Sequence, residues 1–175
     1  IIPITYMNSA ANLKAFVGSH GGAVCTSTNA RAALEWALER PDGPQAAQVL
    51  FFPDQHLGRN TGYQMGFTEA DMAVWNPRAD LRGLDETFLL WKGHCSVHQR
   101  FQPAHIEAFR AEHPGGIVVA HPECSHEVCS MADQVGSTDF IIRAVEAAPA
   151  GSVIGVGTEI HLVQRLDAET PDKRV

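Results

Sequence analysis

The chain has 175 residues, a length that fits one large or two small globular domains. Apolar residues make up 45% of the chain and charged residues 19%, a composition that excludes global disorder. The net charge of −7 repels a phosphate backbone and argues against a nucleic-acid partner. The longest apolar runs, such as 49–53, are far shorter than the roughly 20 residues that span a bilayer, so no membrane partner is expected.

The cysteines are too few and too irregularly spaced to form a disulfide framework; they are Cys25, Cys95, Cys124 and Cys129. No secretory signal opens the sequence, and the two observations together predict a cytoplasmic protein. The sequence begins directly with a pattern typical of a core strand. Because chain ends are usually polar, we expect this sequence to be a piece of a longer protein.

Strands and helices alternate along the chain. Runs of β-branched or aromatic residues predict strands at 2–6, 49–52, 117–120 and 153–156. Amphipathic patterns between them predict helices at 29–40, 103–112 and 139–147. Because the strand runs are apolar throughout, this alternation indicates an α/β fold with short parallel sheets covered by helices on both faces, in three layers.

The middle of the chain departs from this alternation. The segment 61–87 is rich in Gly, Pro, Asn and Asp, and it predicts an excursion with one short strand near 73–75. A further strand begins in the run 88–91. We place the domain boundary after Lys92, which gives domains 1–92 and 93–175.

The second half of the chain repeats the first. The segments 3–8, 26–29 and 54–57 correspond in order to the segments 118–123, 136–139 and 159–162. Three matches in register indicate duplication of one α/β unit. The alignment pairs Tyr6 with His121 and Asn8 with Glu123, each just past the end of a strand.

The paired polar residues point to a ligand site. Ligands of open α/β sheets bind beyond the carboxyl ends of the strands, so these residues are expected to line a crevice. The hydroxyl pairs Ser27–Thr28 and Ser137–Thr138 precede predicted helices, whose N-termini suit phosphate or carboxylate. Ordinary helix capping is the alternative explanation for both pairs.

An imidazole and a carboxylate follow one strand in His121-Pro122-Glu123. Such a pair suits anion binding and general acid–base catalysis, although strand ends also carry solvated His and Glu with no such role. Tyr6 and Asn8 offer hydrogen-bond donors from the other half, and Tyr6 is equally compatible with a place in the core.

The spacing of Cys95 and His98 is compatible with metal ligation. A closed zinc site needs four ligands, and no second ligand pair is recognisable, so the remaining three cysteines are expected to be buried packing residues. Three classes of function remain open on these grounds: an enzyme acting on an anionic substrate, a non-catalytic phosphosugar- or carboxylate-binding module, and a zinc hydrolase.

Seven motifs together resemble the quinolinate synthase family in order and approximate spacing. They are Tyr6-Met7-Asn8-Ser9, Val24-Cys25-Thr26-Ser27-Thr28-Asn29-Ala30, Phe52-Pro53-Asp54-Gln55-His56-Leu57-Gly58, Gly93-His94-Cys95-Ser96-Val97-His98, His121-Pro122-Glu123-Cys124, Gly136-Ser137-Thr138 and Gly157-Thr158-Glu159. The resemblance implies three α/β units around a pseudo-threefold axis and a central [4Fe–4S] cluster held by one Cys from each unit. Residues 1–92 would be the second unit and 93–175 the third, incomplete at its C-terminus.

The resemblance also implies an activity. The family condenses iminoaspartate with dihydroxyacetone phosphate to form quinolinate, phosphate and water in NAD biosynthesis, with the cluster acting as a Lewis acid. Cys95 would be the cluster ligand in this chain, and two further Cys ligands would lie outside it. We expect the chain to be inactive alone. Its partners would be the two substrates and the enzyme that supplies iminoaspartate.

The resemblance assigns roles to residues at both sets of strand ends. It implies catalytic roles for Glu123, Tyr6 and His121, with Glu123 as the general base or acid. His98, beside the cluster ligand, would only support that ligand. Substrate contacts are implied for Tyr6, Met7, Asn8, Ser27, His121, Pro122, Glu123 and Thr138.

Overall fold

The computed structural model describes residues 1–39, 48–78 and 83–175. The chain divides into two compact units, Ile1–His94 and Cys95–Val175. This division falls two residues after Lys92, so that Gly93 and His94 belong to the first unit. Both units contain parallel sheets with helices, which confirms the predicted α/β class.

The first unit is built on a five-stranded parallel sheet. Its elements are β1 (Ile2–Tyr6), α1 (Ala11–Ser19), β2 (Ala23–Cys25), α2 (Ala30–Glu39), β3 (Val49–Phe52), α3 (Gln55–Gln64), β4 (Met72–Trp75) and β5 (Phe88–Trp91). The strand order is β2-β1-β3-β5-β4, with all neighbouring strands parallel.

Both faces of this sheet are covered by helices. Along β3, Phe51 packs in a cluster with Leu34 of α2 and Leu57 of α3, whereas Phe52 packs in another cluster with Val17 of α1. Successive strand residues point to opposite faces, so a strand buried on both sides must be apolar at every position. The unit therefore has three layers, as the uninterrupted apolar run 49–52 predicts.

The second unit is built on a three-stranded parallel sheet in the order β7-β6-β8. Its elements are α4 (Pro103–Glu112), β6 (Ile117–Ala120), α5 (His126–Met131), β7 (Gln134–Val135), α6 (Thr138–Ala147), β8 (Ile154–Gly157) and α7 (Ile160–Glu169). Val118 packs with Ile106 of α4 and Val128 of α5, while Val119 packs on the opposite face with residues of α6 and α7. A short 3₁₀ turn, His98–Arg100, precedes α4.

The predicted duplication is confirmed by the topology. The elements β1, α1, β2, α2, β3 and α3 recur as β6, α5, β7, α6, β8 and α7, and the sheet order β2-β1-β3 recurs as β7-β6-β8. The caps of the last helices match as well. The carboxylate of Asp54 accepts the N–H groups of His56 and Leu57 at 2.8 and 2.9 Å, and Glu159 caps α7 in the same way.

The excursion predicted over 61–87 begins too early, whereas its short strand is confirmed. Helix α3 continues to Gln64, because Gly58 and Gly62 let this polar helix lie close against the sheet. The strand predicted near 73–75 is β4, an edge strand of the same sheet that pairs with β5 in the register Val74↔Leu90. Residues 79–82 of this segment lie outside the described residues.

The other differences lie at the ends of elements and in short elements. The strand predicted at 153–156 runs from Ile154 to Gly157, and the helix predicted at 139–147 begins at Thr138. The helix predicted at 29–40 spans Ala30–Glu39, and Arg40 lies outside the described residues. The sequence patterns missed β2, β7, α1, α3, α5 and α7. Among the described helices, none combines the length and hydropathy needed to cross a membrane.

Candidate active site

The second unit buries an imidazole and a carboxylate at the end of its central strand. His121 and Glu123 follow β6 and are only 1% and 5% exposed. The N–H of His121 donates to the Gly157 carbonyl at 3.1 Å, and the N–H of Cys124 donates to the His121 carbonyl at 2.9 Å. These bonds hold the turn against the sheet. The alternative that His121 and Glu123 are solvated loop residues is therefore excluded.

A second imidazole, that of His98, completes this cluster. His98 Nδ1 and His121 Nδ1 lie 3.3 and 3.4 Å from the same Glu123 oxygen, Oε2. The two rings are stacked, with centroids 4.5 Å apart and planes inclined by 16°. One carboxylate oxygen thus lies against the Nδ1 edges of two parallel imidazoles.

Burial keeps both imidazoles uncharged at neutral pH. Desolvation lowers the pKa of His98 from 6.5 to about 4. Desolvation and, secondarily, the neighbouring His98 lower the pKa of His121 from 6.5 to about 3. The nearby Glu123 carboxylate would favour a charged imidazole, but the loss of water outweighs that attraction here, and two stacked imidazolium rings would also repel each other.

The hydrogen bonds define the tautomer of His121. The backbone N–H of Glu123 donates to His121 Nδ1 at 3.3 Å, so in the neutral ring the proton is on Nε2. His121 Nδ1 consequently has no proton to share with Glu123 Oε2. An ionised carboxylate at this distance faces a lone pair, and a proton or another positive charge between these atoms would relieve that contact.

The other edge of the His98 ring contacts the residue that follows β8. Its Nε2 lies 3.3 Å from Oγ1 of Thr158, which is itself buried. Its Nδ1 is buried and makes no aligned hydrogen bond within the described part of the chain, despite its proximity to Glu123. A buried nitrogen without such a bond is costly, by about 1–3 kcal/mol, so its position requires an explanation.

Cys95 lies beside His98 and Glu123. The ligand atoms of Cys95, His98 and Glu123 all lie within 4.8 Å of one another, and Cys95 is half-buried. The other thiols differ from it in being buried, and burial raises the pKa of Cys25 and of Cys129 to about 12 and also raises that of Cys124. Since the thiolate is the form that binds metal, Cys95 is the best placed of the four thiols to act as a ligand.

The first unit carries its own polar residues at the equivalent strand ends. Tyr6 ends β1 and is buried, whereas Met7 and Asn8 beyond it are exposed. The register pairs Tyr6 with Cys25 at the end of β2, and the half-buried Ser27 follows two residues later. Tyr6 and Ser27 therefore lie near the same edge of the first sheet, since parallel strands end on one side.

The alternative explanation of ordinary helix capping does not hold for Ser27 and Thr28. Helix α2 begins at Ala30, and the turn before it is closed by Thr26 and Asn29. Both the N–H and Oγ1 of Thr26 donate to Asn29 Oδ1, at 2.6 and 3.0 Å, and the Asn29 N–H donates to Thr26 Oγ1 at 3.3 Å. This local exchange leaves Ser27 and Thr28 within the turn rather than at its capping position.

The predicted cap in the second unit is confirmed. Oγ of Ser137 accepts the N–H of Phe140 at 3.2 Å and caps α6. Thr138 is the first residue of that helix, and its side chain is exposed at the carboxyl end of β7. The Ser137 hydroxyl is thus used within the protein, and Thr138 is the hydroxyl that remains at this helix N-terminus.

Sequence reasoning underestimated two residues of the cluster. His98 was expected only to support Cys95, yet its ring stacks on His121 and contacts Glu123. Thr158 was not expected in the site, although it orients His98. The Cys-x-x-His spacing signalled His98, whereas the contact with Thr158 joins residues 60 positions apart and leaves no local signal.

The fold and this cluster define the chain as a duplicated α/β protein with a buried carboxylate and two buried imidazoles at the carboxyl end of a parallel sheet. A comparison with family models identifies the family, since the model described as quinolinate synthetase A protein matches residues 1–175. The chain therefore belongs to the quinolinate synthetase A family. The resemblance carried by the seven motifs is confirmed.

Individual relatives agree with this assignment. The chain is 53% identical to a quinolinate synthase of Rhodopirellula baltica and 53% identical to one of Corynebacterium glutamicum, matching in full and covering 45% of each relative. It is 49% identical to a quinolinate synthase of Bacillus subtilis, of which it covers 48%. The chain thus spans about half the length of the curated relatives it matches.

The neutral imidazoles make the stability of the second unit depend on pH. Because the folded pKa of His98 and of His121 lies below the unfolded value, the unfolded chain binds protons first as the pH falls. Stability is therefore complete above about pH 6.5 and is lost towards pH 4, with a slope of about 1.4 kcal/mol per pH unit for each histidine. Urea unfolding measured between pH 6.5 and 5 should show that the free energy of unfolding of His121→Gln depends less steeply on pH than that of the parent chain.

The exposed His161 provides the control for this experiment, because 85% of its side chain is accessible to solvent. His161→Gln should leave the pH slope unchanged, whatever its effect on absolute stability. A slope that is the same in His121→Gln and in the parent chain would show that His121 is not held neutral by burial.

Proposed function

We propose that the chain is part of a cytoplasmic quinolinate synthase, which condenses iminoaspartate with dihydroxyacetone phosphate to quinolinate, phosphate and water in NAD biosynthesis. The observation that carries this proposal is the Glu123 carboxylate, buried between two neutral imidazoles at the end of β6. Condensation and dehydration need protons moved at carbon and oxygen, and a buried carboxylate beside neutral imidazoles suits that task. The names of the matched relatives support the same activity.

The two units correspond in this proposal to the second and third of a three-unit enzyme. In this proposal residues 1–92 would be the second unit, and residues 93–175 would be an incomplete third unit. The fraction of the relatives that the chain covers, 45–48%, is consistent with such a division. We expect the chain to be inactive alone, since the first unit and two cluster ligands would be missing.

The donor set of this chain fits one corner of a [4Fe–4S] cluster. Cys95 is a half-buried thiol near a buried imidazole nitrogen without an aligned hydrogen bond, and the other three thiols are buried with raised pKa values. Cys95 would hold the cluster in the complete protein. The bound cluster would supply a Lewis acid for substrate oxygen or nitrogen.

The residues of the second unit have separate catalytic and binding roles in this proposal. Glu123 transfers protons as general base or acid in the isomerisation and dehydration steps. His121, whose Nδ1 accepts the Glu123 N–H, keeps its Nε2 proton for a substrate carboxylate. Pro122 is buried between them and stiffens the turn that fixes both side chains. The surrounding burial excludes water from reactive intermediates.

The residues at the other strand ends bind the substrates. Tyr6, Met7 and Asn8 would contact the triose-derived part, with Tyr6 also taking part in catalysis. Ser27 and Thr138, which follow β2 and β7, would bind carboxylate or phosphate. The enzyme that supplies iminoaspartate is proposed as a partner, since an imine hydrolyses readily in water.

Replacing Glu123 tests the catalytic assignment in the complete, cluster-loaded protein. Glu123→Gln keeps the size of the side chain but removes its proton-transfer capacity, so turnover should fall by about 10²–10⁴-fold while substrate affinity is largely kept. His121→Ala should instead weaken the binding of dicarboxylate ligands, because it removes a hydrogen-bond donor. Quinolinate formation and ligand affinity are measured on the same preparations.

Glu127 provides the matched control, because it lies four residues further on and is exposed. Glu127→Gln should retain both turnover and affinity. Near-normal turnover by Glu123→Gln would overturn the catalytic role of Glu123 and would favour a non-catalytic binding module for this part of the chain.

Replacing Cys95 tests the cluster assignment separately. Cys95→Ser in the complete protein should lose the brown colour and the bound iron and sulfide, because a hydroxyl is a poor iron ligand. Cys25→Ser and Cys129→Ser should keep the cluster, since both thiols are buried in the core. Full iron content in Cys95→Ser, or loss of iron in either control, would show that Cys95 is not the ligand.

A further inference from the structure

We propose that Thr158 is a positioning residue of the site, whose hydroxyl donates to His98 Nε2 and thereby keeps the imidazole proton on Nδ1, facing the Glu123 carboxylate. His98 and His121 are then opposite tautomers, since the proton of His121 is on Nε2. The tautomer of His98 is independent of the proposed activity, whereas its effect on catalysis rests on the proposed role of Glu123.

The Thr158 hydroxyl is buried and has a single hydrogen-bond partner. Thr158 is 6% exposed, and its Oγ1 lies 3.3 Å from His98 Nε2. Within residues 1–39, 48–78 and 83–175 this hydroxyl makes no other hydrogen bond. A hydroxyl can donate or accept, but a buried O–H that donates to nothing is costly. Donation to His98 Nε2 satisfies the hydroxyl, and Nε2 must then be the nitrogen that carries no proton.

The Glu123 carboxylate favours the same tautomer of His98. Because burial lowers the pKa of His98 to about 4, the ring is neutral and carries one proton. His98 Nδ1 lies 3.3 Å from Glu123 Oε2. A lone pair on Nδ1 would face the negatively charged oxygen, whereas an N–H directs its positive end towards it. This approach is not aligned for a full hydrogen bond, so the bond to Thr158 is needed to fix the proton.

Thr158 is held at the carboxyl end of β8 through both of its neighbours. The Gly157 carbonyl accepts the His121 N–H at 3.1 Å, and the Glu159 carboxylate caps the start of α7. The β-branched side chain of Thr158 also has few rotamers. Its hydroxyl therefore has a fixed position from which to orient the ring of His98.

The first unit has neither the hydroxyl nor the carboxylate at the equivalent strand ends. The repeat pairs Glu123 with Asn8, and it pairs Thr158 with Pro53, each of which directly precedes a matched helix cap. Proline has no hydroxyl, and the asparagine side chain does not ionise. The hydroxyl thus occurs in the half of the repeat that has the ionisable carboxyl, which supports a joint role.

The effect on catalysis follows from the group that Glu123 faces. An N–H beside Oε2 stabilises the carboxylate, which is the form that accepts a proton. Without the Thr158 hydroxyl, nothing opposes movement of the His98 proton to Nε2, and a lone pair then faces Oε2. The contacts of His121 do not involve Thr158, so loss of the hydroxyl should lower kcat rather than raise KM.

Nitrogen NMR of the 175-residue chain, labelled with ¹⁵N-histidine, tests the tautomer. At neutral pH His98 should show a protonated Nδ1 and an Nε2 that accepts a hydrogen bond, with its signals assigned by their loss in His98→Gln. Thr158→Val should move the proton towards Nε2, and Thr158→Ser should restore the parent spectrum because it restores the hydroxyl. A proton on Nε2 in the parent chain, or a His98 spectrum unchanged in Thr158→Val, would overturn the proposal.

Thr170→Val is the matched control, because Thr170 is another buried threonine of the second unit. Its hydroxyl donates to the Leu166 carbonyl at 2.7 Å. This variant should keep the parent spectrum of His98, and far-ultraviolet circular dichroism establishes that each variant is folded. A changed His98 tautomer in Thr170→Val would show a general effect of removing a buried hydroxyl and would overturn the specific role of Thr158.

Turnover of the complete, cluster-loaded protein tests the effect on catalysis. Thr158→Val should lower kcat by about 10–100-fold with KM nearly unchanged, the range found when a histidine loses the partner that orients it. Thr158→Ser should recover most of this loss. In a His98→Gln background Thr158→Val should have no further effect, because Thr158 acts through His98.

Losses that add in the double variant would overturn the action of Thr158 through His98. Near-normal turnover by Glu123→Gln would instead refute the proposed function and leave the NMR result for His98 unchanged. The two failures are therefore distinguishable.

Discussion

The burial of one carboxylate against two stacked imidazoles is the constraint on which the site depends. Glu123, His98 and His121 are each at most 6% exposed. Removing water from these groups keeps the imidazoles neutral, which in turn allows their rings to stack at 4.5 Å without repulsion. The same burial leaves His98 Nδ1 without an aligned hydrogen bond among the described residues, 3.3 Å from Glu123 Oε2.

Backbone hydrogen bonds and the duplicated topology hold these side chains in place. The end of β6 is fixed to β8 through the register Ala120↔Gly157, and the His121 N–H extends that ladder by one bond. Thr158 follows β8 directly and reaches His98 from there. Because parallel strands end at one edge of a sheet, groups from distant parts of the chain meet where the strands stop. The equivalent edge of the first unit carries Tyr6 and Ser27, without an ionisable carboxyl at the position of Glu123.

The sequence predicted the parts of the structure that depend on local pattern. The apolar runs of β3 and β6 identified buried parallel strands, because alternate residues of each pack on opposite faces. The duplication was predicted because its matched residues, such as Asp54 and Glu159, perform the same capping in both halves. Helix α3 was missed because its glycines, which allow close packing, also remove the apolar periodicity. The sequence did not show which hydroxyl closes the turn before α2, because several neighbouring residues could do so, and Thr26 does so with Asn29.

The central claim is that burial keeps the imidazoles of His98 and His121 neutral beside Glu123. Nitrogen NMR of the histidine side chains in the metal-free chain tests this claim most directly. With ¹⁵N-labelled histidine, both rings should give the shifts of neutral imidazole at pH 6, where an ordinary histidine with a pKa of about 6.5 is mostly charged. His121 should carry its proton on Nε2, with an Nδ1 shift typical of a nitrogen that accepts a hydrogen bond. An imidazolium signal from either residue at pH 6, or a proton on Nδ1 of His121, would contradict the account.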